Sequence, residues 1–267
     1  MLLDSFFEEY PVFSTKELKN YLIKIKAENV EDYRILLNYH IKKGRILKIC
    51  RGLYAVVPLN IPSSSYMPDS FLIAGKRTED SILGYHTAQE YYGNAYAQFN
   101  TRIILTSKNI RLIKFRGVKY KPIKPPKALV RKSKERFLAN NIDIRGQIIR
   151  ITSRERTFAD MLDKINLCGG VEEVWRSLQM TEYINTNDLF SYLEKLENSV
   201  TAAKVGFFLE RNIEITRNNE DFLRELEKLK PSSICYFNRS RNQHTKVSKR
   251  WNLAIPEYVW NEEWEEI

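Results

Sequence analysis

The stretch Tyr33-Arg34-Ile35-Leu36-Leu37-Asn38-Tyr39-His40-Ile41-Lys42-Lys43-Gly44-Arg45-Ile46-Leu47-Lys48-Ile49-Cys50-Arg51-Gly52-Leu53-Tyr54-Ala55-Val56-Val57 carries the two periodicities that decide the fold of the N-terminal region. Tyr33, Leu36, Leu37, His40 and Ile41 return every three or four positions, the spacing of one face of a helix, and Gly44 stops it. Arg45–Cys50 and Leu53–Val57 are two strand-like runs joined by a tight Arg51-Gly52, the signature of a hairpin. Toward the N-terminus, Phe13-Ser14-Thr15 precedes an earlier periodic run, Lys16–Lys26, in which Leu18, Tyr21, Leu22 and Ile25 share a face. Ser14 and Glu17 have the spacing of a capping box, and a turn is expected at 27–29. Helix, turn, helix, basic hairpin is the order of a winged helix-turn-helix.

At about 100° per residue the face opposite the apolar stripe gathers Glu31, Arg34, Ile35, Asn38, Tyr39 and Lys42. In a major groove Asn38 would pair with adenine, Arg34 with guanine, and Ile35 or Tyr39 would touch a thymine methyl. Lys42, Lys48 and Arg51 would take phosphates. The expected DNA-binding set is therefore Arg34, Asn38, Tyr39, Lys42, Lys48 and Arg51. The alternative is a winged helix that only packs or dimerises.

Pro58, Pro62, Ser63-Ser64-Ser65 and Pro68 mark residues 58–69 as a linker. The expected class is α+β: a winged helix-turn-helix at 1–57, then a larger mixed α/β domain at 70–267 whose C-terminal half is helical. Thr78–Tyr92 reads as a helix ending at Gly93. Arg102–Thr106, Leu112–Phe115, Val118–Ile123 and Gln147–Thr152 read as strands, and Pro125–Arg136 as an exposed arm or loop. Thr152-Ser153-Arg154-Glu155 looks like a capping box opening a helix with Phe158, Met161, Leu162 and Ile165 on one face. Val171, Val174, Trp175 and Leu178, then Asn187–Asn198 and Val200–Arg211, continue the helical pattern. Ser233–Ile267 is aromatic-rich and less periodic.

The 267 residues carry a formal charge of +10, and the excess is local. Residues 101–160 hold 17 basic and 4 acidic side chains, whereas residues 1–60 hold 10 and 7. Within the basic block Lys114, Arg116, Lys119, Lys121 and Lys124 nearly alternate along two strand-like runs joined near Gly117, which would line one hairpin face with positive charge as a second polyanion surface. An edge hairpin guarded by lysines is the competing reading, and pairing with acidic segments is a third. No apolar run reaches the roughly 20 residues of a membrane helix, the N-terminus lacks a signal-peptide pattern, and Cys50, Cys168 and Cys235 lie far apart, so a cytoplasmic protein without disulfides or membrane contact is expected.

Phosphate-loop, His-Glu-x-x-His, Gly-x-Ser-x-Gly and Cys-x-x-Cys motifs are absent. His40, His86 and His244 stand alone, as structural histidines usually do. Asp143-Ile-Arg145 and Glu214-Ile-Thr216-Arg217 lack the acidic pair plus lysine of a metal-dependent nuclease. No catalytic residue, metal or cofactor is expected. An RNA-binding protein or nuclease would want aromatic residues through the basic block, and only Phe115 and Tyr120 are interleaved there.

Several phrases, in their order and spacing over about residues 10–210, resemble the AbiEi antitoxins. They are Lys43-Gly44-Arg45-Ile46, Arg51-Gly52-Leu53-Tyr54, Asp69–Lys76, Gly84-Tyr85-His86-Thr87-Ala88, Thr152-Ser153-Arg154-Glu155-Arg156-Thr157 with Asp160, and Gly169-Gly170-Val171-Glu172-Glu173-Val174. The resemblance implies the antitoxin half of a type IV toxin–antitoxin, phage-defence pair. Its N-terminal winged helix-turn-helix would repress its own operon as a dimer on an inverted repeat of double-stranded DNA, and its C-terminal domain would neutralise a nucleotidyltransferase-like toxin. By position Arg34, Asn38, Tyr39, Lys42, Lys48 and Arg51 inherit the DNA role. The alternative is an interaction module that neutralises such a toxin without specific DNA binding. The charge of residues 101–160 exceeds what the resemblance requires, and the tail after residue 231 lies outside it.

Overall fold

Ser14 opens the first long helix as its spacing to Glu17 predicts. Its Oγ accepts from the Glu17 amide at 3.2 Å while Glu17 Oε2 accepts from the Ser14 amide at 2.8 Å, satisfying two helix-end donors for about 1 kcal/mol. The computed structural model describes residues 3–27, 30–238 and 244–264. They form two compact units, one from segments 1–83, 100–124 and 141–151, the other from 84–99, 125–140 and 152–267.

The first unit begins with α1 (Asp4–Glu9), β1 (Val12–Ser14), α2 (Thr15–Lys24), α3 (Tyr33–Lys42), β2 (Ile46–Cys50) and β3 (Leu53–Val56). The strands form an antiparallel sheet in the order β1-β3-β2. Helix, helix, hairpin is thus the order the sequence predicts, with two additions, α1 and β1. Both are too short to show a periodicity. Gly52 sits in the hairpin turn at φ +81, a conformation that a side chain disfavours. The expected turn at 27–29 falls largely on 28 and 29, which lie outside the described residues. Leu3, Phe6, Phe7, Phe13, Leu18, Leu22, Leu37, Ile46 and Tyr54 close one apolar core. Phe13 stacks on Tyr54 (centroids 5.6 Å apart) and meets Phe6 edge-on at 5.1 Å.

The same unit holds α4 (Ser70–Gly75), β4 (Ile82–Leu83), β5 (Thr101–Leu105), β6 (Ile113–Phe115), β7 (Val118–Ile123) and all but the outermost residues of β8 (Ala139–Ile144) and β9 (Gln147–Thr152). The six strands run in the order β6-β7-β5-β4-β9-β8, with α4 packed on β4 and β5. The helix expected at Thr78–Tyr92 is not continuous. Thr78 and Ser81 bond to each other and Asp80 takes the Thr106 hydroxyl, fixing a turn. Ile82 and Leu83 then pair with β5, and only His86–Tyr91 is helical. The expected boundary at 58–69 falls inside the first unit, where Arg116 donates to the Ser63 and Ser64 carbonyls.

The second unit comprises α5 (His86–Tyr91), α6 (Lys127–Arg131), α7 (Arg154–Asp163), α8 (Val171–Gln179), α9 (Thr186–Leu196), α10 (Ser199–Arg211), α11 (Glu220–Leu226), β10 (Cys235–Tyr236), β11 (Thr245–Ser248), β12 (Leu253–Pro256) and α12 (Glu257–Asn261). The arm expected at Pro125–Arg136 contains α6. The cap of α7 is Ser153, whose side chain accepts from the Arg156 amide, while Glu155 accepts from the Asn185 amide. The predicted Thr152–Glu155 box is therefore not formed. Helix α10 is the hub: residues 201–209 are all buried, and α7, α11 and β12 pack around it. Arg156, wholly buried, donates to the carbonyls of Glu135 and Phe137 and lies 3.4 Å from Asp160, which also takes the Tyr192 hydroxyl. The phrase Arg154–Asp160 thus ties three segments together. His86, 1 % exposed, sits between Glu173 (2.8 Å) and Glu90 (3.0 Å) and stacks on Phe99. Among the described residues no helix is long and apolar enough to cross a membrane, and no group of three metal-ligating side chains is present.

Two stability experiments test this packing. A Cβ on Gly206 would lie 2.2 Å from the Trp251 ring, so Gly206→Ala is expected to destabilise the protein by about 1–3 kcal/mol in urea unfolding; an unchanged midpoint would contradict the close approach. Burial alone would lower the His86 pKa, but the bonds to Glu173 and Glu90 outweigh it and hold the imidazole above its usual value. Its stabilisation is complete below about pH 6.5 and is lost as pH rises through the higher folded-state value. His86→Gln should remove that part of the decline in melting temperature with rising pH, and parallel curves would refute it.

Candidate nucleic-acid interface

The apolar commitment of one side of α3 leaves the other side free to meet a partner. Leu37 and His40 are buried, while Arg34, Ile35, Asn38, Tyr39 and Lys42 are exposed, the division that the helical period predicts. Ile35 is 68 % exposed and Tyr39 is 50 % exposed, so the face combines apolar and hydrogen-bonding groups. Glu31 belongs to this face by period; its side chain lies outside the described residues. Arg34 Nε donates to the Tyr33 hydroxyl at 3.1 Å. Asn38, Lys42, Lys48 and Arg51 have no side-chain partner among the described residues. His40 does not join them: it packs edge-on to Phe7 and Tyr39, and burial, then the nearby Arg45, lowers its pKa.

Lys48 and Arg51 project from β2 and the hairpin turn, both exposed. The Gly52 carbonyl accepts from the Thr15 amide at 3.0 Å, so the hairpin turn is bonded to the start of α2. Arg51 also lines a cleft of about 490 Å³ beside α2, α4 and β9. The other cations of that cleft are engaged within the unit. Lys76 pairs with Glu17 and Lys16 with Glu79, Arg150 donates to the Glu79 and Ser81 carbonyls, and Arg77 Nη1 donates to Cys50 Sγ at 2.8 Å.

The second basic group divides. Lys114 lies directly across the β6–β7 ladder from Lys119, and Lys121 follows two residues on, so these three share one face of the sheet. Arg116 turns back at φ +50 to hold the Ser63 and Ser64 carbonyls. Lys124 Nζ donates to the Ser107 and Lys108 carbonyls and to Asn109 Oδ1. Only three of the five predicted cations therefore line one surface, because the other two serve as clamps on neighbouring loops. Ile35, expected from the helical period to touch a thymine methyl, is the most exposed apolar side chain of α3.

No curated protein matches the chain. Among solved structures it is similar to the crystal structure of RV2827C protein from Mycobacterium tuberculosis, with a TM-score of 0.58 at 11 % identity, covering 95 % of this chain and 89 % of that one; at this identity the likeness is one of fold. Residues 1–57 match the family model described as transcriptional regulator, AbiEi antitoxin, so the resemblance drawn from the sequence is supported over the segment that contains α2, α3 and the hairpin.

Proposed function

We propose that the chain is a DNA-binding transcriptional regulator and antitoxin, in which α3 reads the major groove and the β2–β3 hairpin is the wing. The observation that carries this reading is the unpartnered set Asn38, Lys42, Lys48 and Arg51, presented by a segment that matches an antitoxin regulator family. Asn38 supplies a donor and an acceptor for an adenine edge, Ile35 and Tyr39 supply apolar contact for a thymine methyl, and Arg34 reaches guanine on releasing Tyr33. Lys42, Lys48 and Arg51 neutralise phosphates. We place the protein in the cytoplasm, as a dimer on an inverted repeat in its own promoter, paired with a nucleotidyltransferase-like toxin. It needs no cofactor and carries out no catalysis in this role.

Lys114, Lys119 and Lys121 act as a further phosphate contact. Directly opposed lysines on a ladder repel each other, and an anion lying between them relieves that repulsion. One observation favours a second reading, a toxin-neutralising module without specific DNA binding: the exposed Ile35 and Tyr39 also suit a protein partner.

Gel shifts on the upstream region, with random duplex as competitor, separate the two. Asn38→Ala and Arg34→Ala should each cost about 1–3 kcal/mol on the specific duplex and little on the random one. Lys48→Ala should weaken both alike and reduce the salt slope by about 1. No shift at low salt would leave only the partner role. Lys119→Ala with Lys121→Ala should lower the salt slope further without altering sequence preference, whereas an unchanged slope would make them edge guards.

A further inference from the structure

Lys204 lies in the middle of α10 and is 9 % exposed, surrounded by the apolar hub of the second unit. A lysine so deeply placed is ordinarily held by a carboxylate. Among the described residues Lys204 instead makes one hydrogen bond, from Nζ to the Leu162 carbonyl at 3.1 Å, and faces the Phe237 ring at 5.3 Å. The carboxylate beside it, Asp163, is committed elsewhere: its Oδ1 accepts from Asn198 Nδ2 at 2.7 Å and Thr201 Oγ1 at 2.8 Å, and its Oδ2 lies 3.4 Å from Lys164 Nζ. Lys204, Asp163 and Lys164 line a cavity of about 350 Å³ whose walls include Ile165, Leu167 and Asn238. That volume is at the small end of organic-ligand pockets.

Burial pushes the Lys204 ammonium down to about 8; Asp163 acts against the shift and Lys164 adds to it. Desolvation and a neighbouring cation are the two conditions that leave a lysine amine neutral and nucleophilic. We propose that Lys204 is a nucleophilic amine that takes small aldehydes or ketones entering this cavity as imines. The nitrogen lone pair forms a bond to the carbonyl carbon as the carbonyl π pair moves to oxygen. The oxygen then leaves as water with both amine protons, so the reaction is a condensation without change of oxidation state.

The test treats the full chain with propionaldehyde or pyruvate in the presence of cyanoborohydride, which fixes any imine as a stable secondary amine, and maps the modified lysines by peptide mass. At pH 7 Lys204 should be modified about tenfold or more faster than the exposed Lys119, because burial disfavours the Lys204 ammonium. Its rate should level off above about pH 8. Leu167→Trp, which fills the cavity, should lower modification of Lys204 at least tenfold while leaving Lys119 unchanged, and denaturant should abolish the preference. Lys204 modified no faster than Lys119 in the folded protein, a rate still rising steeply past pH 9, or a preference that survives denaturation would each overturn the proposal.

Discussion

The exposure of the outward face of α3 depends on the aromatic core beneath it. Phe6 and Phe13 are wholly buried and stack against Tyr10, Tyr54 and Tyr21. They give Leu18, Leu22 and Leu37 an apolar floor. Fully burying one such side chain is worth about 1.5–3 kcal/mol. Rotating α3 to bury Ile35 and Tyr39 would forfeit Leu37 and leave His40 in water. The face that holds Asn38 and Lys42 is therefore set by what the opposite face must cover, and Phe6 and Phe7 of α1 with Phe13 of β1 complete that floor.

Charge plays a different part. Of the basic side chains in the first unit, several are spent on internal bonds: Lys16, Lys76, Arg77, Arg116, Lys124 and Arg150 each hold a carboxylate, a carbonyl or a sulfur. Among the described residues Lys42 of α3, Lys48 and Arg51 of the hairpin, and Lys114 and Lys119 of the sheet are exposed and make no such bond. The internal bonds leave the net charge of +10 unchanged but fix where each of the bonded cations sits.

The N-terminal unit was legible because its helices are long enough for two turns of periodicity and its cap and turn residues, Ser14, Glu17, Gly44 and Gly52, are each required by local geometry. Four strands of the larger sheet were legible as β-branched runs. Three features were hidden for physical reasons. Ile82–Leu83 is apolar on both sides, so a two-residue central strand reads as part of a helix. Ala139–Ile144 contains two asparagines and an aspartate, which suppress its strand signal. The pairing of His86 with Glu173 spans 87 residues, and no local pattern announces it. On the candidate interface the helical period located the exposed side chains, but the diversion of Arg116 and Lys124 into loop clamps depends on tertiary contacts that spacing does not encode.

On the proposed function, α3 and the hairpin place two copies of this chain on a two-fold DNA site. Hydroxyl-radical footprinting of the full chain on the DNA upstream of its own reading frame tests it most directly. Two protected half-sites related by a dyad and centred about 34–36 Å apart, or a multiple of that, with protection fading as salt rises, is the predicted result. Absence of protection at low salt, or uniform protection that ignores sequence, would contradict it.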